Sequence, residues 1–386
     1  MQPRIYLDNA ATTCMDKRVL ETMMPYFCDF YGNASSLHSP GAQAKEILDR
    51  SRSQIAGCIG AQPDEIILTS GGTEANNLAV KGIAFANRHK GNHIIVSSIE
   101  HDCVLNACKW LEEQGFSITY LPVDNLGLVD IETLNRVINL RTILVSVMNA
   151  NNEIGTIEPV EEIGEICRQH NVYFHSDACQ SFGKVPIDVN QANIDLLTIN
   201  SHKIYGPKGV GALYIRKGTN ITPLLHGGGQ EAGYRSSTEN IPGIAGFAKA
   251  AELCMLEMAT ETQKVTKFRN KLTDFLFSNY ENVYINGHTE KRLPGHLSFS
   301  FHGMEGETIR LLFLLDEMGI AVSAGSACSS NHGGDTSHVL QAIGLNPFEA
   351  RGAIRVSFGR FTTEKDIDAL TNALNSTVMQ LNSIFS

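Results

Sequence analysis

Between residues 65 and 216 the chain alternates between short apolar runs and stretches whose apolar positions recur at helical spacing. The runs at 65–69, 93–98, 117–123, 142–148, 171–176, 194–199 and 211–216 predict strands. Helical patterns lie between most of them, at 73–89, 102–114, 130–138 and 160–170. Several runs are almost uninterrupted, as in Thr142-Ile143-Leu144-Val145-Ser146-Val147-Met148. A strand covered on both faces has no need of alternating polar positions. The pattern therefore predicts an α/β fold with a mainly parallel, seven-stranded sheet covered by helices.

The flanks read differently. Ile5 to Thr13 predicts a short strand running into a polar turn, and residues 16–30 and 42–59 predict helices. After the alternating block comes a glycine-rich crossing segment, Leu225-His226-Gly227-Gly228-Gly229-Gln230-Glu231, and then a long helix over roughly 241–280. The remainder predicts a smaller α+β part, with strands at 296–301, 320–324 and 353–358 and helices at 305–318, 336–343 and 363–382. The expected division is a large domain of residues 16–258, and a small domain made of 1–15 together with 259–386.

In a parallel sheet, ligands bind at the carboxyl ends of the strands. Polar, reactive residues collect at these exits. The run at 194–199 leads into Asn200-Ser201-His202-Lys203 and a Gly/Pro turn. A lysine desolvated at a strand exit becomes a carbonyl nucleophile, whereas an ordinary lysine is a solvated surface group. Lys208, within the turn itself, is expected to be exposed. The first run leads into Thr69-Ser70-Gly71-Gly72-Thr73-Glu74, whose small residues bare helix-start N–H groups as a phosphate cradle, or simply make a turn. Other exits carry Glu100-His101, Asn151-Asn152-Glu153 and Asp177-Ala178-Cys179-Gln180. His101 and Asp177 could each be helix-start residues and nothing more. Together, a lysine, an acid, an aromatic base and a phosphate cradle on one rim suit pyridoxal 5'-phosphate.

Composition narrows the class. The chain of 386 residues has a net charge of −10, which argues against a nucleic-acid binder. No apolar run approaches bilayer length, and the first residues lack a signal-peptide pattern. Nine cysteines without any C-x-x-C spacing argue against a disulfide framework or a zinc site, and for a reducing cytoplasm. Cys328 stands apart, within Ser326-Ala327-Cys328-Ser329-Ser330-Asn331-His332-Gly333-Gly334-Asp335. That run of small polar residues suits an accessible, reactive thiol better than a packed one. Arg355, on the last predicted strand, suits either a bidentate grip on a carboxylate or a buried salt bridge.

These segments taken in order resemble the cysteine desulfurases of the NifS/IscS type, in the class V aminotransferase-like branch of fold-type-I pyridoxal-phosphate enzymes. The likeness runs nearly end to end, through Tyr6 to Thr13, Gly32 to Ser36, Thr69 to Asn77, Glu100-His101, Asn151 to Gly155, Asp177 to Gln180, His202 to Gly209, His226 to Glu231 and Ser326 to Cys328. The resemblance implies roles. Lys203 would carry the cofactor as an internal aldimine, His101 would stack on its ring and assist proton transfers, and Asp177 would pair with the ring nitrogen. Gln180 and Asn152 would lie near the phenolic oxygen. Gly72, Thr73 and His202 would hold the phosphate, joined by Thr238 from the partner subunit of a homodimer. Arg355, with Asn152, would bind the carboxylate of L-cysteine. Cys328 would take the sulfur as a persulfide, release L-alanine, and deliver the sulfur to an acceptor protein such as an iron–sulfur scaffold or a tRNA-thiolating enzyme.

The chain departs from the family pattern in places. Asn200-Ser201 replaces the usual Ser-Gly/Ala ahead of His-Lys, so the hydroxyl expected on the phosphate is either replaced by the Asn200 amide or shifted to Ser201. Ser237, Ala232 and Cys179 also differ from the common residues. The rival readings are a selenocysteine lyase or another class V aminotransferase-like enzyme, and a non-catalytic scaffold of the same fold. Transamination needs no Cys328, and a scaffold needs neither Cys328 nor Lys203.

Overall fold

The computed structural model describes residues 4–325 and 336–385. Its strands are β1 (Ile5–Tyr6), β2 (Ile66–Thr69), β3 (His93–Ser97), β4 (Ser117–Leu121), β5 (Thr142–Ser146), β6 (Tyr173–Asp177), β7 (Leu196–Asn200), β8 (Gly211–Ile215), β9 (Val283–Ile285), β10 (His296–Phe301), β11 (Ile320–Ala321), β12 (Ser323–Ala324) and β13 (Ile354–Ser357). The helices are α1 (Lys17–Met23), α2 (Pro25–Cys28), α3 (Ser39–Gly57), α4 (Gly72–Ala86), α5 (Asp102–Glu113), α6 (Ile131–Val137), α7 (Val160–His170), α8 (Ile241–Asn279), α9 (Thr308–Glu317), α10 (His338–Ala342) and α11 (Glu364–Phe385).

The seven predicted apolar runs form one sheet in the order β2-β8-β7-β6-β5-β3-β4. β8 runs against both of its neighbours, and every other pairing is parallel. The carboxyl ends of β2, β3, β5, β6 and β7 therefore share one edge. Strands β2, β3, β5, β7 and β8 are buried at every position, as the missing alternation requires. Helices pack on both faces. One face holds Phe174, Leu197, Ile199 and Tyr214 against α3 and the start of α8; the other holds Ile94, Val96, Leu144 and Leu213 against α4 and α5.

α8 joins this core to a second one. Its first half places Ile244, Phe247 and Leu253 against the seven-stranded sheet. Its second half places Val265, Phe268, Leu272 and Leu276 against β10, β13 and α11. The second core is built on the antiparallel sheet β12-β13-β10-β9. Leu7 is buried in that core, and β1 pairs in parallel with β11.

Three elements differ from the sequence pattern. The run at 320–324 is divided: β11 pairs with β1, and β12 pairs with β13. The helix predicted over 16–30 is broken where Pro25, lacking an N–H, starts a new turn. β9 is a three-residue strand that pairs with β10, too short to give a period.

Candidate active site

The shared strand edge collects the predicted residues. Lys203 follows β7 through Ser201 and His202, half-buried, and makes no hydrogen bond or ion pair with another described residue. Its charge acts on Asp8, His101, Cys179, Lys184 and His202, which places all five around it. Lys208 is exposed, as expected.

Asp177 ends β6, and its carboxyl is fixed as an acceptor. Oδ2 takes a hydrogen bond from Nδ2 of Asn76 at 2.6 Å, and Oδ1 takes one from the backbone N–H of Cys179 at 2.8 Å. Asn76 lies on the buried side of α4. Sequence reading passed over it, because an asparagine within a helical pattern carries no signal of what it faces.

His101 is the N-cap of α5: its Nδ1 accepts from the N–H of Cys103 at 3.2 Å. The backbone donor makes Nδ1 an acceptor and leaves the proton of the neutral ring on Nε2. Burial lowers the ring's pKa, and the Asp177 charge opposes that. His101 is thus both a helix-start residue and a neutral imidazole beside Lys203. His202 is neutral as well. Burial and then the charges of Lys203, Lys208 and Lys184 push it down to about 4, while Nδ1 lies 3.1 Å from Oγ1 of Thr12.

The exit of β2 is a cradle that excludes side chains. Gly71, the N-cap of α4, has φ 152° and supplies no side-chain cap. A Cβ on Gly72 would stand 2.6 Å from Sγ of Cys179 and 3.6 Å from Nδ2 of Asn200. The Asn200 amide therefore faces the start of α4, and its Oδ1 is buried without a partner. Ser201 differs: it is fully buried, and its Oγ lies against Gly206. Thr73 is exposed at the first turn. Thr238 is exposed too, on a groove with Ser70, Gly209 and Arg235.

Arg355, on β13, crosses from the second core with 3% of its side chain exposed. Nη1 donates to the carbonyl of Asn152 at 3.0 Å, and Nη2 pairs with Oδ1 of Asp8 at 2.9 Å. Its Nε is buried and unpartnered. The arginine is a buried ion pair and still has donors to offer. The Asn152 carbonyl also lies 3.1 Å from Nε2 of His296. Gln180 is buried; Nε2 donates to the carbonyl of Ala10 at 2.9 Å, and Oε1 accepts from Nζ of Lys184 at 3.3 Å. Burial, with the Lys203 charge second, pushes Lys184 down to about 8. Cys328 lies outside the described residues.

The donor set fits pyridoxal phosphate. An amine without a partner among the described residues, a fixed carboxylate acceptor and a neutral imidazole meet at one sheet edge, and the cradle beside them admits only glycine at position 72.

The aminotransferase class-V family matches residues 5–370. The cysteine desulfurase IscS of Dictyoglomus turgidum is 48% identical, over 100% of this chain and 97% of the relative. A solved NifS-like protein superposes with a TM-score of 0.91 at 39% identity, covering 97% of this chain and 99% of its own. SspA, solved in complex with cysteine, gives a TM-score of 0.81 at 38% identity, covering 93% of this chain and 100% of its own. With likeness of that extent in both sequence and structure, the chain belongs to the class-V aminotransferase family, within its NifS/IscS-type cysteine desulfurase branch.

Proposed function

We propose that the chain removes sulfur from L-cysteine with pyridoxal phosphate, giving L-alanine and a persulfide on Cys328. The observation that carries the reading is the amine of Lys203, without a hydrogen bond or ion pair among the described residues, at the sheet edge where its charge and that of Asp177 both act on His101 and Cys179. The bound cofactor would supply an aldehyde that condenses with amines and a ring that withdraws electrons from the carbon next to the substrate nitrogen.

Lys203 is the residue that would hold the cofactor and give way to the substrate amine. Asp177, pinned by Asn76 and Cys179, presents a carboxylate that favours a protonated ring nitrogen. The α4 cradle, with the Asn200 amide and neutral His202, would take the phosphate. Arg355 would bind the substrate carboxylate with the donors that Asp8 and Asn152 leave free. His101, a neutral imidazole whose pKa burial lowers, has the type of group that relays protons beside Lys203. The thiolate of Cys328 attacks the substrate sulfur. The S–S bond forms as the Cβ–S bond breaks, and the electron pair stays with the carbon skeleton that leaves as alanine. Delivery of the persulfide sulfur to an acceptor protein, a homodimer contributing Thr238 across its interface, and a cytoplasmic setting complete the proposal. Among the described residues no helix is long and apolar enough to cross a membrane.

The test is the visible spectrum of purified protein, followed by alanine and sulfide released from L-cysteine with a thiol reductant. Equal yields of both are expected. Lys203→Ala should lose the absorbance and all turnover. Cys328→Ala should keep the absorbance and form no persulfide. A protein that takes up no pyridoxal phosphate, or a Cys328→Ala variant with full sulfide output, would overturn the scheme.

A further inference from the structure

Lys184 sits next to the proposed site and has no part in the chemistry above. It is the second lysine there, four residues beyond Gln180 and close enough to Lys203 to feel its charge. Its ammonium donates to Oε1 of Gln180. Beyond it lies a cavity of about 40 Å³, bordered by Asn9, Tyr205, Glu261 and His296. That space has room for water on the amine's remaining hydrogens, at roughly 10–15 Å³ per water.

The two contacts on the Gln180 amide have opposite character. An ammonium has no lone pair, so the amide atom facing Lys184 must be the oxygen. A carbonyl cannot donate, so the atom facing Ala10 must be the nitrogen. One Nε2 hydrogen goes to Ala10, and the second has no partner among the described residues. Without Lys184, Oε1 loses its one donor among the described residues, and only the Ala10 contact opposes a turn of the buried amide that brings its oxygen toward whatever occupies the exit of β6.

We infer that Lys184 is a positioning residue: it locks the Gln180 amide so that an N–H, never the oxygen, faces the group carried by Lys203. The inference rests on the proposed function. An N–H donated to the phenolic oxygen of that group favours the anionic form of the oxygen and lowers the pH at which the bound cofactor changes colour. An amide oxygen in that place repels the anion and raises it.

The experiment is an absorbance titration of the cofactor-loaded protein against pH, without substrate. Loss of one hydrogen bond to a charged group is expected to raise the apparent pKa of the colour change in Lys184→Met by about one to two units. Lys184→Arg, which keeps both donor and charge, should restore the lower value. In a Gln180→Ala background, Lys184→Met should add no further shift, because the lysine acts through the amide. Lys184→Leu, which likewise has neither donor nor charge, is run beside Lys184→Met and should shift in the same direction if the methionine variant fails to fold. An unchanged titration in the folded neutral variants overturns the inference. So does a shift of the same size with Gln180 removed, which would mean that the charge acts directly. A wild-type protein that takes up no cofactor overturns the proposed function instead, and this inference with it.

Discussion

Replacing Glu153 with glutamine should make the protein more stable, and only at the alkaline end. Glu153 is buried in the turn after β5, with Oε2 accepting from Oγ of Ser337 at 2.5 Å. Burial, opposed by the hydrogen bond from Ser337 and the Arg355 charge, raises its carboxyl from 4.5 to about 7. The folded protein thus holds this proton more tightly than the unfolded chain does. The stability this confers is complete below the unfolded pKa near 4.5 and is lost as pH rises through about 7. Beyond that a charge must sit in the core. A shift from 4.5 to about 7, at ~1.4 kcal/mol per unit, corresponds to about 3 kcal/mol. Glutamine has the same shape, accepts from Ser337 and never ionises. Urea denaturation should therefore find Glu153→Gln close to wild type at about pH 5 and more stable by up to about 3 kcal/mol at about pH 8.5. Comparing the two proteins at each pH cancels groups they share, such as Glu158, pushed up to about 8. A stability difference that does not change with pH would refute the reasoning.

Two other perturbations test the frame around the site. Glu231, with 2% of its side chain exposed, grips Arg52 through both oxygens at 2.6 and 2.7 Å and accepts from the N–H of Leu68 at 2.8 Å. Glu231→Ala strands the half-buried arginine and should cost about 3–5 kcal/mol in urea denaturation, with Glu231→Gln costing less; a loss under about 1 kcal/mol for the alanine variant would refute this. Asp8 partly neutralises the Arg355 guanidinium. Asp8→Asn keeps an oxygen for Nη2 and removes the charge, so the KM for cysteine should fall on the order of tenfold, and a rise would count against Arg355 as the carboxylate site.

The sequence made the sheet legible because burial on both faces erases alternation, and β5 and β7 are runs with no other reading. The position of the candidate site followed from the same runs: a strand's end is visible in the sequence, and in a parallel sheet the ends converge. That is why Lys203, Asp177 and His101 could be named together. The partners of these residues could not. Asn76 meets Asp177 from 101 positions away, and Asp8 meets Arg355 across 347. No period or composition encodes such contacts; they exist only once α4 lies on the sheet and β13 stands beside the amino-terminal segment. Lys184 was invisible for a related reason. A lysine ahead of Val185-Pro186 reads as a solvated turn, and only the packing of Gln180 against Ala10 turns its amine inward.

Two buried carboxyls near the cleft show how that packing divides labour. Glu100 feels the charge of Asp177, yet the surroundings of the two differ. Glu100 has a single donor, the N–H of Met148, and its Oε2 has no partner. Burial, then the Asp177 charge, drives its pKa well up, so it is held as a neutral acid. Asp177 has two N–H donors, from Asn76 and Cys179. Two charged carboxylates this close would repel each other and divide the attraction of any cation between them. With Glu100 neutral, Asp177 is the acceptor the cleft presents, and its aim is set by Asn76 on α4, the helix whose first turn forms the cradle. Under the proposed function, the element that would bind the phosphate would thereby also aim the carboxylate at the ring, and a shift of α4 would disturb both contacts together.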